Sequence, residues 1–232
     1  MMSLAVRNGV ISRNSVRDVE RIAQPKGKKG AAAVSPGDLL DLMGKLRQAS
    51  TLVERDTVEL LDFIVASGWR VGEACTLEAS SIDFSSSTAE VVASNVRVKG
   101  RGIIRQAVPK TDAAWRVTPL PGPTMDLLRR RYERLKVDTA LLFPTAALTL
   151  RDPSNTQREL RDVRNSLGYP KLSTHSFRKA AAMLDRTGMS ATEIAAFLGH
   201  ANPSMAQDVY MNTLKGSART GAVMQDQLKG VI

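Results

Sequence analysis

The sequence predicts a mainly α-helical domain with a small three-stranded antiparallel β-sheet, and three observations carry that prediction. Apolar residues recur at helical spacing behind recognisable N-caps, as in Ser35-Pro36 ahead of Leu39, Leu42, Met43 and Leu46. Between residues 88 and 120 the pattern changes to β-branched runs broken by turn residues. Roughly 200 residues then follow a basic linker without internal repeat, enough for one domain with its own core.

Taken in order, residues 1–22 are basic and mildly amphipathic, and Gln24-Pro25-Lys26-Gly27-Lys28-Lys29-Gly30 reads as a linker. A helix through Val58, Leu61, Ile64 and Val65 stops at Gly68, and a second, short helix starts near Glu73. Residues 88–98, 103–108 and 116–120 are the three expected strands. Helices are expected over 124–136, over 153–167 behind Asp152-Pro153, and over 174–187. Ser190-Ala191-Thr192-Glu193 is a capping box that opens another, ending at Gly199. Two more are expected over 203–211 and 217–229.

Composition narrows the function. Thirty-three Lys and Arg against 23 Asp and Glu give a net charge of +10, which favours a polyanionic partner. The charge is clustered in Lys26, Lys28 and Lys29, in Arg129, Arg130, Arg131 and Arg134, and in Arg158, Arg161 and Arg164. Each run also reads as a flexible linker or a solvated helix face. One cysteine, Cys75, excludes an internal disulfide and suits a reducing cytoplasm. With two histidines it cannot build a usual Cys/His zinc site. Asp152 and Glu159 lie among arginines without a magnesium-ligand pattern, and no phosphate-binding glycine loop occurs. No apolar run approaches the ~20 residues of a membrane span, so a soluble, intracellular protein is expected.

Five residues are suited to chemistry on a phosphodiester. His175 and Arg178 stand at i and i+3, on one helix face. Arg70 lies between glycines in Gly68-Trp69-Arg70-Val71-Gly72-Glu73, where Glu73 is placed to orient it by an ion pair. Leu198-Gly199-His200 and Tyr210 follow. Phosphodiester cleavage by a phenol builds charge on the non-bridging oxygens, which guanidinium forks satisfy with paired hydrogen bonds. A phenol with a pKa near ~10 needs a base or a cationic pocket to attack at neutral pH. Taken singly, each residue has an ordinary structural reading: a capped histidine, an arginine at a helix end, a packed tyrosine. It is their joint order that points to one reaction.

That order, Gly-x-Arg-x-Gly-Glu, a lysine, His-x-x-Arg, Leu-Gly-His and a following tyrosine, resembles the catalytic domain of the tyrosine recombinases, which include the phage integrases. The resemblance runs from about Ser35 to Tyr210. It implies that fold, with Arg70 and Arg178 on the scissile phosphate, Tyr210 as nucleophile, His175 accepting its proton and His200 donating a hydrogen bond to the phosphate. The family lysine that protonates the leaving 5′-oxygen matches Lys110 in Val108-Pro109-Lys110-Thr111, with Lys99 in Val98-Lys99-Gly100 as its competitor.

The resemblance further implies cleavage and rejoining of double-stranded DNA through a 3′-phosphotyrosyl link, without metal or other cofactor, in a homotetramer on synapsed sites. The expected location is the cytoplasm, on the nucleoid. Residues 1–34 would be a remnant of an N-terminal DNA-binding domain plus linker, with 4–19 as its final helix, and 35–232 the catalytic domain with a helical tail. A type IB topoisomerase-like relaxing enzyme and a non-catalytic DNA-binding remnant are the alternatives.

Overall fold

The computed structural model describes residues 2–14, 34–108, 114–182 and 191–199. The chain divides into two compact units, Met1–Gly30 and Ala31–Ile232. In the first, α1 (Met2–Arg7) is closed by a left-handed Gly9 at φ 69°. The Gly9 N–H donates to the Val6 carbonyl and the Val10 N–H to that of Ala5, the paired bonds of a glycine C-cap. The helix expected over 4–19 therefore stops within its first turns, because Gly9 takes the conformation that ends it.

In the second unit, α2 (Pro36–Gln48) begins as its sequence dictates. The Ser35 hydroxyl accepts the Asp38 N–H at 3.2 Å, and proline fills the first helical position. A short α3 (Ser50–Glu54) leads to α4 (Val58–Ser67), the centre of the core. Leu60, Leu61, Phe63 and Ile64 of α4 are all fully buried, so this helix is apolar on most of its circumference and packs against α2, α6 (Gly122–Leu135) and α8 (Thr174–Ala182). Each such side chain contributes about 1.5–3 kcal/mol by leaving water. Phe63 meets Trp69 edge-on with ring centres 5.3 Å apart, and Phe143 at 5.5 Å.

The end of α4 aims the next segment. Gly68 adopts φ 63° and its N–H returns to the Ile64 carbonyl at 2.9 Å, so the chain turns where the sequence predicts. Trp69 is then swallowed by the core, with its indole N–H on the Thr118 hydroxyl at 2.8 Å. The four-residue helix α5 (Val71–Ala74) follows. It lies against β3 (Ala93–Val98) so closely that a Cβ on Gly72 would come within 2.8 Å of the Ser94 hydroxyl and 3.2 Å of the Asn95 carbonyl.

The sheet differs from its prediction in one respect. Instead of three continuous strands there are two small antiparallel sheets: β1 (Ile82–Asp83), β2 (Thr88–Glu90) and β5 (Val117–Pro119) in the order β1-β2-β5, and a hairpin of β3 (Ala93–Val98) with β4 (Gly102–Ala107). The single strand expected over 88–98 changes partners midway. The Val91 N–H donates to Arg116 on the β5 side, and the Val92 carbonyl accepts Val108 on the β4 side. Lys99 sits exposed in the hairpin turn, where Gly100 and Gly102 supply the positive φ values.

Buried polar groups brace the rest. The Arg151 guanidinium reaches the carbonyls of Arg55, Asp56 and Pro144, and the Arg151 carbonyl accepts the Asn95 amide at 2.9 Å, tying β3 to the start of α4. Asp152 caps α7 (Pro153–Arg164) and pairs with Arg97, while Glu159 accepts the Thr57 hydroxyl at 2.6 Å. These two carboxylates are structural partners within the fold. The expected helices at 124 and 153 are present, the first starting two residues earlier and the second closing at Arg164. The last helix in the described residues is α9 (Ala191–Leu198), which closes on Gly199 at φ 63°. Helices expected over 203–211 and 217–229 lie outside the described residues.

The arginine run on α6 is not one solvated face. Arg129, Arg130 and Arg134 are exposed, but Arg131 is 1% exposed, donating to the Leu142 carbonyl, to Asp56 and to Glu59 while its guanidinium lies over the Phe143 ring. Arg131→Ala is expected to lower the unfolding free energy by roughly 2–4 kcal/mol, since it strands a buried carbonyl and empties the site. Arg129→Ala, on the exposed flank, should stay within ~0.5 kcal/mol. Urea denaturation of both variants checks the contrast.

Candidate active site

Three arginines from distant parts of the chain converge at the C-terminal end of α9. The last carbonyls of a helix have no partner within it and carry the negative end of its dipole. Here each of three consecutive carbonyls takes one guanidinium: Phe197 accepts Nε of Arg116 at 3.0 Å, Leu198 accepts Nη2 of Arg178, and Gly199 accepts Nη2 of Arg70 at 3.3 Å. Arg178 also donates through Nη1 to the Gly68 carbonyl at 2.6 Å, the residue that ends α4. Two helix ends therefore hold the one side chain.

Glu73 lies beneath this cluster, 2% exposed. Its Oε1 accepts Nη1 of Arg70 at 2.7 Å, while Oε2 accepts the Arg70 backbone N–H at 2.8 Å and Nη2 of Arg116 at 2.9 Å. Burial opposes its ionisation, but Arg116 and then Arg70 outweigh that and hold the carboxyl below the usual range. Among the described residues Glu73 is the only carboxylate hydrogen-bonded to the cluster, and it reaches two of the three guanidinium groups, those of Arg70 and Arg116. Three cations against one anion leave an excess of positive charge in a largely buried place, a strong attraction for a phosphate.

Arg178 is 6% exposed, and its contacts among the described residues are both neutral carbonyls. Burial, followed by the fields of Arg70 and Arg116, lowers its pKa to about 9, with Glu73 acting in the other direction. It is thus a cation at neutral pH, and the described contacts use two of its five N–H donors. Arg70, by contrast, is partly open to solvent. One arginine is sunk behind the site and the other stands at its mouth.

His175 and Arg178 do share α8 one turn apart, as the sequence predicts. The start of that helix is fixed by the Ser173 N–H on the Ser176 hydroxyl at 3.2 Å, and Phe177 anchors it in the core. The His175 ring keeps an exposed side. Partial desolvation and then the positive fields of Arg178, Arg70 and Lys179 lower its pKa below 6.5. A neutral imidazole beside two phosphate-seeking arginines can accept a proton.

The structure thus brings together Arg70, His175 and Arg178. Lys110, His200 and Tyr210 lie outside the described residues, although their neighbours Val108, Ala114 and Gly199 are described. Lys99 is in the hairpin turn. Arg116 is a member of the cluster that the sequence reading passed over. It stands just before β5, two residues ahead of Thr118, and both side chains meet Trp69. Among the described residues no group of three or more His, Cys, Asp or Glu is placed to hold a metal ion.

The sequence profile of the phage integrase family matches residues 35–216, a stretch that contains the whole cluster. The chain belongs to the phage integrase family. Tyrosine recombinase XerC of Anoxybacillus flavithermus (strain DSM 21510 / WK1) is 26% identical over 185 residues, covering 78% of this chain and 58% of that protein. XerC of Bifidobacterium longum (strain DJO10A) is 26% identical over 223 residues, with 88% and 59% covered. The chain thus spans somewhat under two thirds of the length of these curated relatives.

Solved structures share the fold. The Tn1549 transposon integrase in complex with transposon right end DNA superposes with a TM-score of 0.74 at 16% identity, over 98% of this chain and 75% of that one. XerA recombinase gives 0.61 at 21% identity, over 91% and 70%. No helix among the described residues is long and apolar enough to cross a membrane.

One property of the family site can be checked directly. His175 should titrate below pH 6.5, followed by the imidazole proton signals in NMR with His200→Asn to separate the two histidines. Arg178→Gln should move it upward, because that substitution removes a positive neighbour.

Proposed function

We propose that this chain cuts and rejoins double-stranded DNA at specific sites through a 3′-phosphotyrosyl intermediate. The observation that carries the proposal is the excess positive charge at the end of α9, where Arg70 and Arg178 are held with spare donors around a single carboxylate. Family membership and the fold shared with an integrase solved on DNA support a double-stranded DNA partner.

In this reading Arg70 and Arg178 bind the non-bridging oxygens of the scissile phosphate and stabilise the charge that grows there. The Tyr210 oxygen attacks phosphorus, His175 takes the phenolic proton, and His200 donates a hydrogen bond to the phosphate. The bond to the 5′-oxygen breaks as Lys110 protonates it, leaving a free 5′-hydroxyl and a phosphotyrosine. Rejoining is the reverse: a 5′-hydroxyl attacks the phosphotyrosine, its proton passes to the lysine, and the tyrosine recovers its own. The phosphoester energy is kept in the covalent link, so the chain's own groups suffice. Exchange between two duplexes needs several active sites at once, and a homotetramer on synapsed DNA supplies them.

We favour Lys110 over Lys99, on the family resemblance of its segment and on a described contact next to that segment. Lys99 lies in the turn of the β3–β4 hairpin, whereas Lys110 is in the stretch between Val108 and Ala114, whose carbonyl accepts Nη1 of Arg116 in the arginine cluster at 3.0 Å. Lys110→Ala should therefore cleave poorly on an ordinary duplex. It should recover on a 5′-bridging phosphorothioate, because a thiolate leaves without protonation. Rescue of Lys99→Ala instead would transfer the role to Lys99.

The central test is covalent trapping in EDTA with nicked, end-labelled duplexes covering a candidate attachment site. Wild-type protein should give a denaturant-resistant adduct and Tyr210→Phe none. An adduct that survives in Tyr210→Phe would remove Tyr210 as nucleophile, and a folded, DNA-bound wild type without adduct would remove the cleavage reading.

A further inference from the structure

Arg116 has no part in the reaction just described, yet it is one of the most constrained side chains in the molecule. It is 6% exposed, immediately before β5. All three guanidinium nitrogens are committed to protein: Nε to the Phe197 carbonyl at 3.0 Å, Nη1 to the Ala114 carbonyl at 3.0 Å, and Nη2 to Oε2 of Glu73 at 2.9 Å. Its plane lies over the Trp69 ring at 5.8 Å. Gly199 leaves room for it, since a Cβ there would stand 2.7 Å from Nη1 and 3.1 Å from Cδ.

Those contacts reach three segments that matter to the proposed reaction. The Glu73 oxygen that Arg116 holds also accepts the Arg70 N–H, and the other oxygen of the same carboxylate takes Nη1 of Arg70. Phe197 lies three residues before His200, and Ala114 four residues after Lys110. With its nitrogens occupied and its surface buried, Arg116 has little left to offer a phosphate. What it can do is fix the direction in which Arg70 points.

We infer that Arg116 is a positioning residue for strand cleavage: through Glu73 it aims Arg70 at the phosphate, and it ties Ala114 and the end of α9 at Phe197 to the same point. The inference rests on the recombinase reading above. Lysine cannot replace it, because one ammonium at the end of a chain cannot reach Phe197, Ala114 and Glu73 together, and it loses the planar fork.

The test compares Arg116→Gln, Arg116→Lys, Glu73→Gln and the double variant Glu73→Gln/Arg116→Gln in full-length protein. Two quantities are read: the rate of adduct formation beside DNA affinity, and the guanidinium NMR signals of Arg70, assigned by their loss in Arg70→Lys. Each single variant should slow adduct formation roughly 10- to 100-fold, as misplacement of a phosphate-binding group does, with DNA affinity within about threefold of wild type. The double variant should be about as slow as the slower single one, because both break the same link. The Arg70 terminal nitrogens, held in the wild type, should rotate freely in Arg116→Gln, and Arg116→Lys should not restore them.

Wild-type cleavage by folded Arg116→Gln, unchanged Arg70 signals, or fully additive losses in the double variant would overturn the inference. Should Arg116→Gln fail to fold, Arg116→Lys and Glu73→Gln carry the same comparison. A wild type that forms no adduct overturns the recombinase reading alone, and the Arg70 signals then decide the role of Arg116 by themselves.

Discussion

The carboxylate of Glu73 is the constraint on which the site depends. Arg70, Arg116 and Arg178 repel one another, and burial of two of these guanidinium groups, Arg116 and Arg178, is costly unless something offsets it. Glu73 offsets part of the charge, and the carbonyls at the end of α9 offset part of the polarity without cancelling the charge. What remains is an excess of positive charge that an incoming phosphate can offset. The apparent flaw, too little negative charge, is the property that makes the cluster useful.

The rest of the fold serves to hold that arrangement rigid. Gly68 ends α4 and offers its carbonyl to Arg178, while the next residue, Trp69, is locked by Phe63 and Thr118 so that Arg70 emerges at a fixed angle. On the opposite side the handover of strand pairing at Val91–Val92 lets one stretch of chain support both β5, next to Arg116, and the hairpin that packs on α5. The polar brace around Arg151 fixes that hairpin to the start of α4. Rigid surroundings are what allow a few tenths of an ångström to matter at the cluster.

Much of this was legible in the sequence, and for local reasons. The Ser35 cap, the stop at Gly68, the Arg70–Glu73 pair and the i, i+3 placement of His175 and Arg178 follow from bonds between near neighbours, which sequence patterns encode. What was missed is mostly non-local. The strand over 88–98 splits because its first half pairs with the distant Val117–Pro119, while its second half pairs with the nearby Gly102–Ala107. The helix expected over 4–19 stops because Gly9 turns left-handed. Arg131 looked like part of a solvated run until Asp56 and Glu59, over seventy positions away, claimed it. Arg116 escaped for the same reason: nothing adjacent to it in the chain reveals that Glu73 and the end of α9 are its partners.

The spacing of the cluster along the chain has a biological corollary. Arg178 bonds Gly68 across 110 positions and Arg70 bonds Gly199 across 129. Such long-range closures form late, after most of the chain has been organised. A nascent polypeptide on the ribosome, or a fragment released by proteolysis anywhere between those positions, holds its arginines apart and has no focused positive pocket. For a protein whose proposed chemistry breaks DNA strands, completeness of the domain would be a safeguard: the positive pocket is assembled only when the last helix of the cluster has docked.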